Sequence, residues 1–183
     1  GLLGVITEVT VKILKAPEVV KAALVGFPTI EDAGSCVAEI IAQGCIPAGM
    51  EIMDKALTKA TNDYAKAGYP TDAEAMMIVE FDGTEHEVED YIGKVKQIAE
   101  KNNSSSLKVS KSNEERLKFW AGRKAAFPAC GVLAPDYMCM DGSIPRGKLA
   151  EVLNEISRLS KKYDLPVANA FHAGDGNLHP LIM

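Results

Sequence analysis

Apolar and polar positions run along this chain with two alternating periods, and the switches between them lay out the elements. Residues 5–14 alternate, with Val9, Val11 and Ile13 on one side and Thr10 and Lys12 on the other, the pattern of a half-buried strand that Pro17 ends. Ala22–Phe27 is an apolar run of strand length. Thr29, with Asp32 three residues on, opens a helix striped by Ala33, Val37, Ile40 and Ile41, with Gly44 as its C-terminal cap. Residues 46–53 read as a strand and 54–67 as a helix ending at Gly68. The plan then repeats. Met76–Phe81 is a strand, and a Thr84–Glu87 capping box opens a helix striped by Val88, Ile92, Val95 and Ala99. The polar loop Asn102–Ser106 leads to a short strand, Leu107–Ser110. A Ser112–Glu115 box then opens a helix carrying Leu117, Trp120, Ala121 and Lys124. A strand over Met138–Ile144, a helix striped by Leu149, Val152, Leu153, Ile156 and Leu159, and a strand over Val167–His172 complete the series.

Strand and helix alternate too regularly for an all-α or all-β chain. Ala23–Gln43 and Met77–Ala99 form a divergent strand–helix repeat in which Phe27 matches Phe81. Two β-α-β units predict an α+β fold, a ferredoxin-like antiparallel sheet with helices packed on one face. A parallel, doubly wound sheet is the alternative.

The 183 residues are 47% hydrophobic and 25% charged, as in a soluble globular domain. A net charge of −5 argues against a nucleic-acid surface. No apolar run approaches the roughly 20 residues of a membrane span, and no basic-then-apolar signal peptide opens the chain. Cys36, Cys45, Cys130 and Cys139 include no Cys-x-x-Cys pair and read as reduced thiols, mostly core filler, of a cytoplasmic protein. The chain opens at Gly1 in a strand pattern and stops at Met183 within an apolar run, as expected of a piece of a longer protein.

Candidate chemistry is concentrated in Phe171-His-Ala-Gly-Asp-Gly-Asn-Leu-His-Pro180. Asp175-Gly176 is a strong signal for a type I′ turn. A turn centred there sets His172 opposite His179, and opposed residues on one face have Cβ atoms roughly 4.5–5.5 Å apart. Two imidazoles so placed can share an ion or a substrate. The same spacing also suits a solvated turn with two incidental histidines, and two ligands fall short of the three or four that zinc usually takes.

The segment as a whole resembles the signature of the FAD-linked 2-hydroxyacid oxidoreductases, whose FAD domain is of the vanillyl-alcohol-oxidase type. Gly1-Leu-Leu-Gly-Val-Ile-Thr-Glu8 is similar to the last glycine-rich loop and strand of that family's FAD domain. Pro135–Pro145 is similar to the strand after its substrate-side helix. The resemblance implies a division into residues 1–17, the tail of an FAD-binding domain, and residues 18–183, a substrate-capping domain. It implies FAD held mainly upstream, with Gly1, Gly4 and Asn177 as contacts from this chain. It further implies partner subunits, one of them carrying iron–sulfur clusters, and membrane association only through such partners.

Oxidising a 2-hydroxy acid requires a cation for the carboxylate, a base or metal for the hydroxyl proton, and a hydride acceptor. No side chain accepts hydride, so a cofactor must. His172 and His179 suit a divalent ion such as zinc, iron or manganese, which would lower the pKa of the hydroxyl. The resemblance takes the third ligand from an acidic residue further downstream. Without metal, His179 suits a general base. The resemblance assigns the carboxylate to Arg123, whose guanidinium can bind it bidentately, and places Asn177 near flavin and substrate. Asp175 reads as a turn former, Tyr137 as a pocket or packing residue, and Lys124, Arg116 and His86 as exposed. The expected function is oxidation of glycolate or D-lactate to the 2-oxo acid. A non-catalytic ferredoxin-like module that binds a metal or small molecule is the alternative.

Overall fold

The computed structural model describes residues 2–183. Eight strands form one antiparallel sheet: β1 (Val19–Phe27), β2 (Gly49–Asp54), β3 (Ala75–Gly83), β4 (Ser106–Val109), β5 (Met138–Cys139), β6 (Gly142–Ser143), β7 (Val167–His172) and β8 (Asn177–Ile182). Their order is β4-β1-β3-β2-β7-β8-β5, with β6 also on β8. The first four strands have the ferredoxin-like arrangement, since β1 and β2 both run antiparallel to the β3 between them. The expected α+β class and antiparallel sheet are therefore present.

Six helices cover the sheet: α1 (Ile30–Ala42), α2 (Lys55–Ala65), α3 (Glu85–Lys101), α4 (Asn113–Lys124), α5 (Ala126–Cys130) and α6 (Leu149–Tyr163). They do not lie on one face, as expected from the sequence. Helices α1, α3 and α6 cover one face, where Val25, Phe27, Ile52, Val79, Phe81 and Phe171 form a core with Val37, Ile40, Val88, Ile92, Val95 and Leu153. Helices α2, α4 and α5 cover part of the other, where Leu24, Met53, Met76, Ile78 and Ala170 meet Leu57, Phe119, Ala126 and Cys130. The reason lies in β1, β3 and β7, which are apolar at consecutive positions and so have two faces to bury.

The local signals act as the sequence predicts. Thr29 accepts from the Asp32 amide, Gly44 follows α1 at φ +74°, and Thr84 with Glu87 closes a complete capping box. Ser112 accepts from the Glu115 amide, but the Glu115 carboxylate takes the Lys111 amide instead. Helix α4 is rotated relative to its expected stripe: it buries Phe119, Gly122 and Arg123, while Leu117, Ala121 and Lys124 are exposed. The Met138–Ile144 strand is broken into the two-residue pieces β5 and β6.

Residues 5–14 are not a strand. No strand among the described residues pairs with them, and Val9, Val11 and Ile13 are 70%, 70% and 84% exposed. An alternating pattern can bury one side only where a second surface exists to receive it. Cys36, Cys45 and Cys130 are buried free thiols, Cys139 is exposed, and burial pushes the Cys36 thiol up to about 12.

Candidate active site

The candidate residues meet where β2, β7 and β8 lie side by side near the C-terminal half of α4. Glu51 on β2 pairs directly with His172 on β7, which pairs with Asn177 on β8. Paired residues share a face, so the three form one row across the sheet. His179 stands one step along, opposite Ala170 on the same face.

His172 thus opposes Asn177, not His179. The connection is a four-residue loop, Ala173–Gly176, in which the amides of Asp175 and Gly176 both donate to the His172 carbonyl at 3.0 Å. A type I′ turn needs positive φ at both central residues. Here Gly176 has φ +74° and Asp175 is not in that region. A Cβ on Gly176 would also lie 2.3 Å from the Ile144 carbonyl oxygen, so this position requires glycine. The histidines are diagonal neighbours, and they still meet: their ring centroids are 5.1 Å apart at 90°.

Glu51 joins two of the candidates. One carboxylate oxygen is 2.7 Å from Nδ1 of His172. The other accepts from Nε of Arg123 at 3.1 Å and lies 3.0 Å from its Nη2 in an ion pair. Arg123 is 7% exposed, so it is not a surface helix arginine. A guanidinium can sit in this half-apolar layer because Glu51 pairs with it. At the other end of the row, Asp141 accepts from Nδ2 of Asn177 at 3.0 Å and lies 3.7 Å from Nδ1 of His179. Oδ1 of Asn177 is buried with no hydrogen-bond partner among the described residues. Phe127 flanks His179 at 6.2 Å between centroids. A cavity of about 420 Å³ opens beside His172, lined also by Glu51, Gly174, Asp175 and Arg146.

Other candidates lie apart from this cluster or outside the description. Gly1 falls outside the described residues. Gly4 is exposed, and a Cβ there would meet no atom within 4 Å. Tyr137 is partly exposed and donates to the Phe127 carbonyl at 3.2 Å. His86 and Lys124 are exposed, as expected. Arg116 is not; it is half-buried and paired with Glu80 at 2.9 Å. Among the described residues, no group of three or more His, Cys, Asp or Glu side chains is placed to hold a metal ion.

Glu51 and Asp141 were missed in the sequence reading. The signal for Glu51 was there: a lone acid between Met50 and Ile52 in a predicted strand requires a partner or an open face. Asp141 carries no such signal, because its role depends on β5 and β6 folding back onto β8.

The antiparallel sheet with helices on both faces is a fold shared with larger proteins of known structure. Solved structures of alkyldihydroxyacetonephosphate synthase (TM-score 0.65, 16% identity, covering 91% of this chain and 36% of that one) and p-cresol methylhydroxylase (TM-score 0.65, 12% identity, 91% and 38%) share it. Residues 16–183 match the family of FAD linked oxidases, C-terminal domain, and the chain belongs to it. It is 51% identical to the glycolate oxidase subunit GlcD of Escherichia coli (strain K12) over 183 residues, which is 100% of this chain and 37% of that protein. It is 36% identical to GlcD of Bacillus subtilis (strain 168), covering 98% and 38%. It is also 36% identical to the mitochondrial D-lactate dehydrogenase [cytochrome] of Arabidopsis thaliana, covering 100% and 32%. The chain thus spans about a third of the length of these relatives.

Proposed function

We propose that this chain is the substrate-capping part of an FAD-dependent enzyme that oxidises glycolate or D-lactate to the 2-oxo acid. The observation that carries this reading is the 51% identity to a glycolate oxidase subunit over every residue of the chain. The site supports it. Arg123 has a guanidinium for the substrate carboxylate, since Nη1 makes no hydrogen bond to the chain among the described residues. His179 is the base for the hydroxyl proton. The unpartnered Oδ1 of Asn177 accepts from substrate or flavin.

FAD, when bound, accepts the hydride. It is held by residues 1–17 and by parts of the longer protein outside these 183. His172 and His179 would give a zinc, iron or manganese ion two ligands, the third coming from outside this chain, and such an ion would lower the pKa of the hydroxyl. The relative in E. coli is named as a subunit. We extend to this chain assembly with partner subunits, an iron–sulfur one included, through which any membrane attachment occurs. No helix among the described residues is long and apolar enough to cross a membrane.

The test is His179→Ala in the full-length enzyme, with turnover of glycolate and D-lactate, flavin absorbance and metal content all measured. Activity should fall by at least about 100-fold, the usual worth of a general base, with the flavin retained. Normal turnover would remove His179 from the reaction. Loss of activity from a wild-type enzyme that carries no metal would assign the histidine to proton transfer alone. The 183-residue chain by itself should purify colourless, and stoichiometric flavin absorbance would overturn the placement of the cofactor.

A further inference from the structure

We propose that Glu51 is a positioning residue that holds His172 and Arg123 as one unit and selects the tautomer of His172. The inference rests on the functional reading above, in which Arg123 takes the substrate carboxylate and His172 stands beside the base His179, and adds a residue that neither motif nor relatives assign. A carboxylate can only accept hydrogen bonds. At 2.7 Å from Glu51, Nδ1 of His172 must therefore carry the proton, and a neutral ring then presents its lone pair on Nε2. That is the nitrogen left for a substrate hydroxyl or an ion, and His172 is 44% exposed. The other Glu51 oxygen accepts from Nε of Arg123, with Nη2 3.0 Å away in the ion pair, and leaves Nη1 to a ligand. The side chains of Glu51 and Arg123 are only 12% and 8% exposed, so water competes poorly for these bonds. Strand pairing sets the geometry, because Glu51 and His172 are register partners on neighbouring strands of the sheet.

Glu51→Gln tests the role with little change in shape. The amide oxygen can still accept from Arg123. The amide nitrogen then donates towards Nδ1 of His172, which must become an acceptor, so the ring proton moves to Nε2. A comparable Asp→Asn change behind the histidine of a serine protease keeps the geometry and costs about 10⁴ in kcat through the wrong tautomer. Here kcat for glycolate should fall by at least about 100-fold, with KM changed less than about threefold and flavin absorbance retained. In ¹⁵N-histidine-labelled full-length holoenzyme at one fixed pH, the His172 signals should change from the Nδ1–H to the Nε2–H pattern. Glu51→Asp, which keeps the acceptor but shortens its reach, should recover at least about tenfold in kcat over Glu51→Gln.

A wild-type His172 protonated on Nε2 would overturn the proposal without any variant, so misfolding of Glu51→Gln does not protect it. An unchanged tautomer or a kcat within threefold of wild type would overturn it as well. The spectra are recorded without substrate. An Nδ1–H His172 in an enzyme that oxidises neither glycolate nor D-lactate would therefore sink the functional reading alone.

Discussion

On one face of the sheet, Val25, Phe27, Val79, Phe81 and Phe171 meet only the apolar stripes of α1, α3 and α6. On the other, Leu24, Met53, Met76 and Ala170 start an equally apolar layer under α2, α4 and α5. That layer gives way at one end to Glu51, Arg123, His172, His179 and Asn177. The contrast comes down to cover. An apolar layer closed by three helices offers a buried charge no water and no partner, which costs several kcal/mol. The second face is left partly open over β7 and β8: the buried Glu51 and Arg123 pair with each other, Glu51 also meets His172, and the exposed Asp141 accepts from Asn177. The closed face holds the fold together, and the open end of the other is free to carry chemistry.

If this division is right, equal truncations on the two faces have different consequences. Arg123→Ala in the full-length enzyme should lower kcat/KM by at least about 30-fold, because losing one partner of a desolvated pair costs on the order of 2–5 kcal/mol. Near-normal kinetics would make the open face structural like the closed one. The same change leaves Glu51 with His172 as its one remaining partner, so some loss of stability comes with it. Phe81→Ala, at 1% exposure on the closed face, should cost about 3–5 kcal/mol in denaturant unfolding. In the assembled enzyme it should leave KM alone wherever the protein stays folded; a specific rise in KM would contradict the division.

Asp54 sharpens the comparison from a third position, at the far end of β2. Its carboxylate caps α2 at the Leu57 amide and accepts from Asn169 at 2.8 Å, yet burial pushes its pKa up to about 6. The folded state therefore holds this proton more tightly than the unfolded chain, whose aspartate titrates near 3.9. Its stabilisation is full below about pH 4 and is lost as pH rises through 6, a decline of about 3 kcal/mol. Asp54→Asn should flatten that part of the stability–pH curve; an unchanged slope would show that Asp54 is ionised throughout.

Within the layer of the second face, α4 approaches the loop after α2 closely enough that a Cβ on Gly122 would lie 2.2 Å from the Tyr69 hydroxyl oxygen and 2.7 Å from Cβ of Ala67. Gly122→Ala should thus destabilise by about 1–3 kcal/mol, measured by thermal or denaturant unfolding. A neutral result would mean that α4 can shift, and that Arg123 beside it is less firmly held than its ion pair suggests.

Much of the fold was legible because its signals are local. Thr29, Thr84 and Ser112 cap their helices through residues three positions on, and the stripes of α1 and α3 need only a 3.6-residue period to be seen. The failures share a cause. Residues 5–14 have a strand's alternation but no neighbour to pair with. Helix α4 is rotated from its expected stripe because it buries Arg123 against Glu51, a partner 72 positions away in sequence that no local period reveals. The turn was misread by two residues, because one positive φ at Gly176 closes a different loop from two.

For the site, the sequence by itself determined the chemical inventory: two imidazoles around an Asp-Gly turn, an amide between them, and a guanidinium on a helix. Those are properties of residue type and short spacing. Only the tertiary structure decided that Glu51 belongs with them, that His172 and His179 meet diagonally across the hairpin, and that helices cover both faces. These depend on strand order and register. Register is set by the packing of the whole apolar layer rather than by any segment of it.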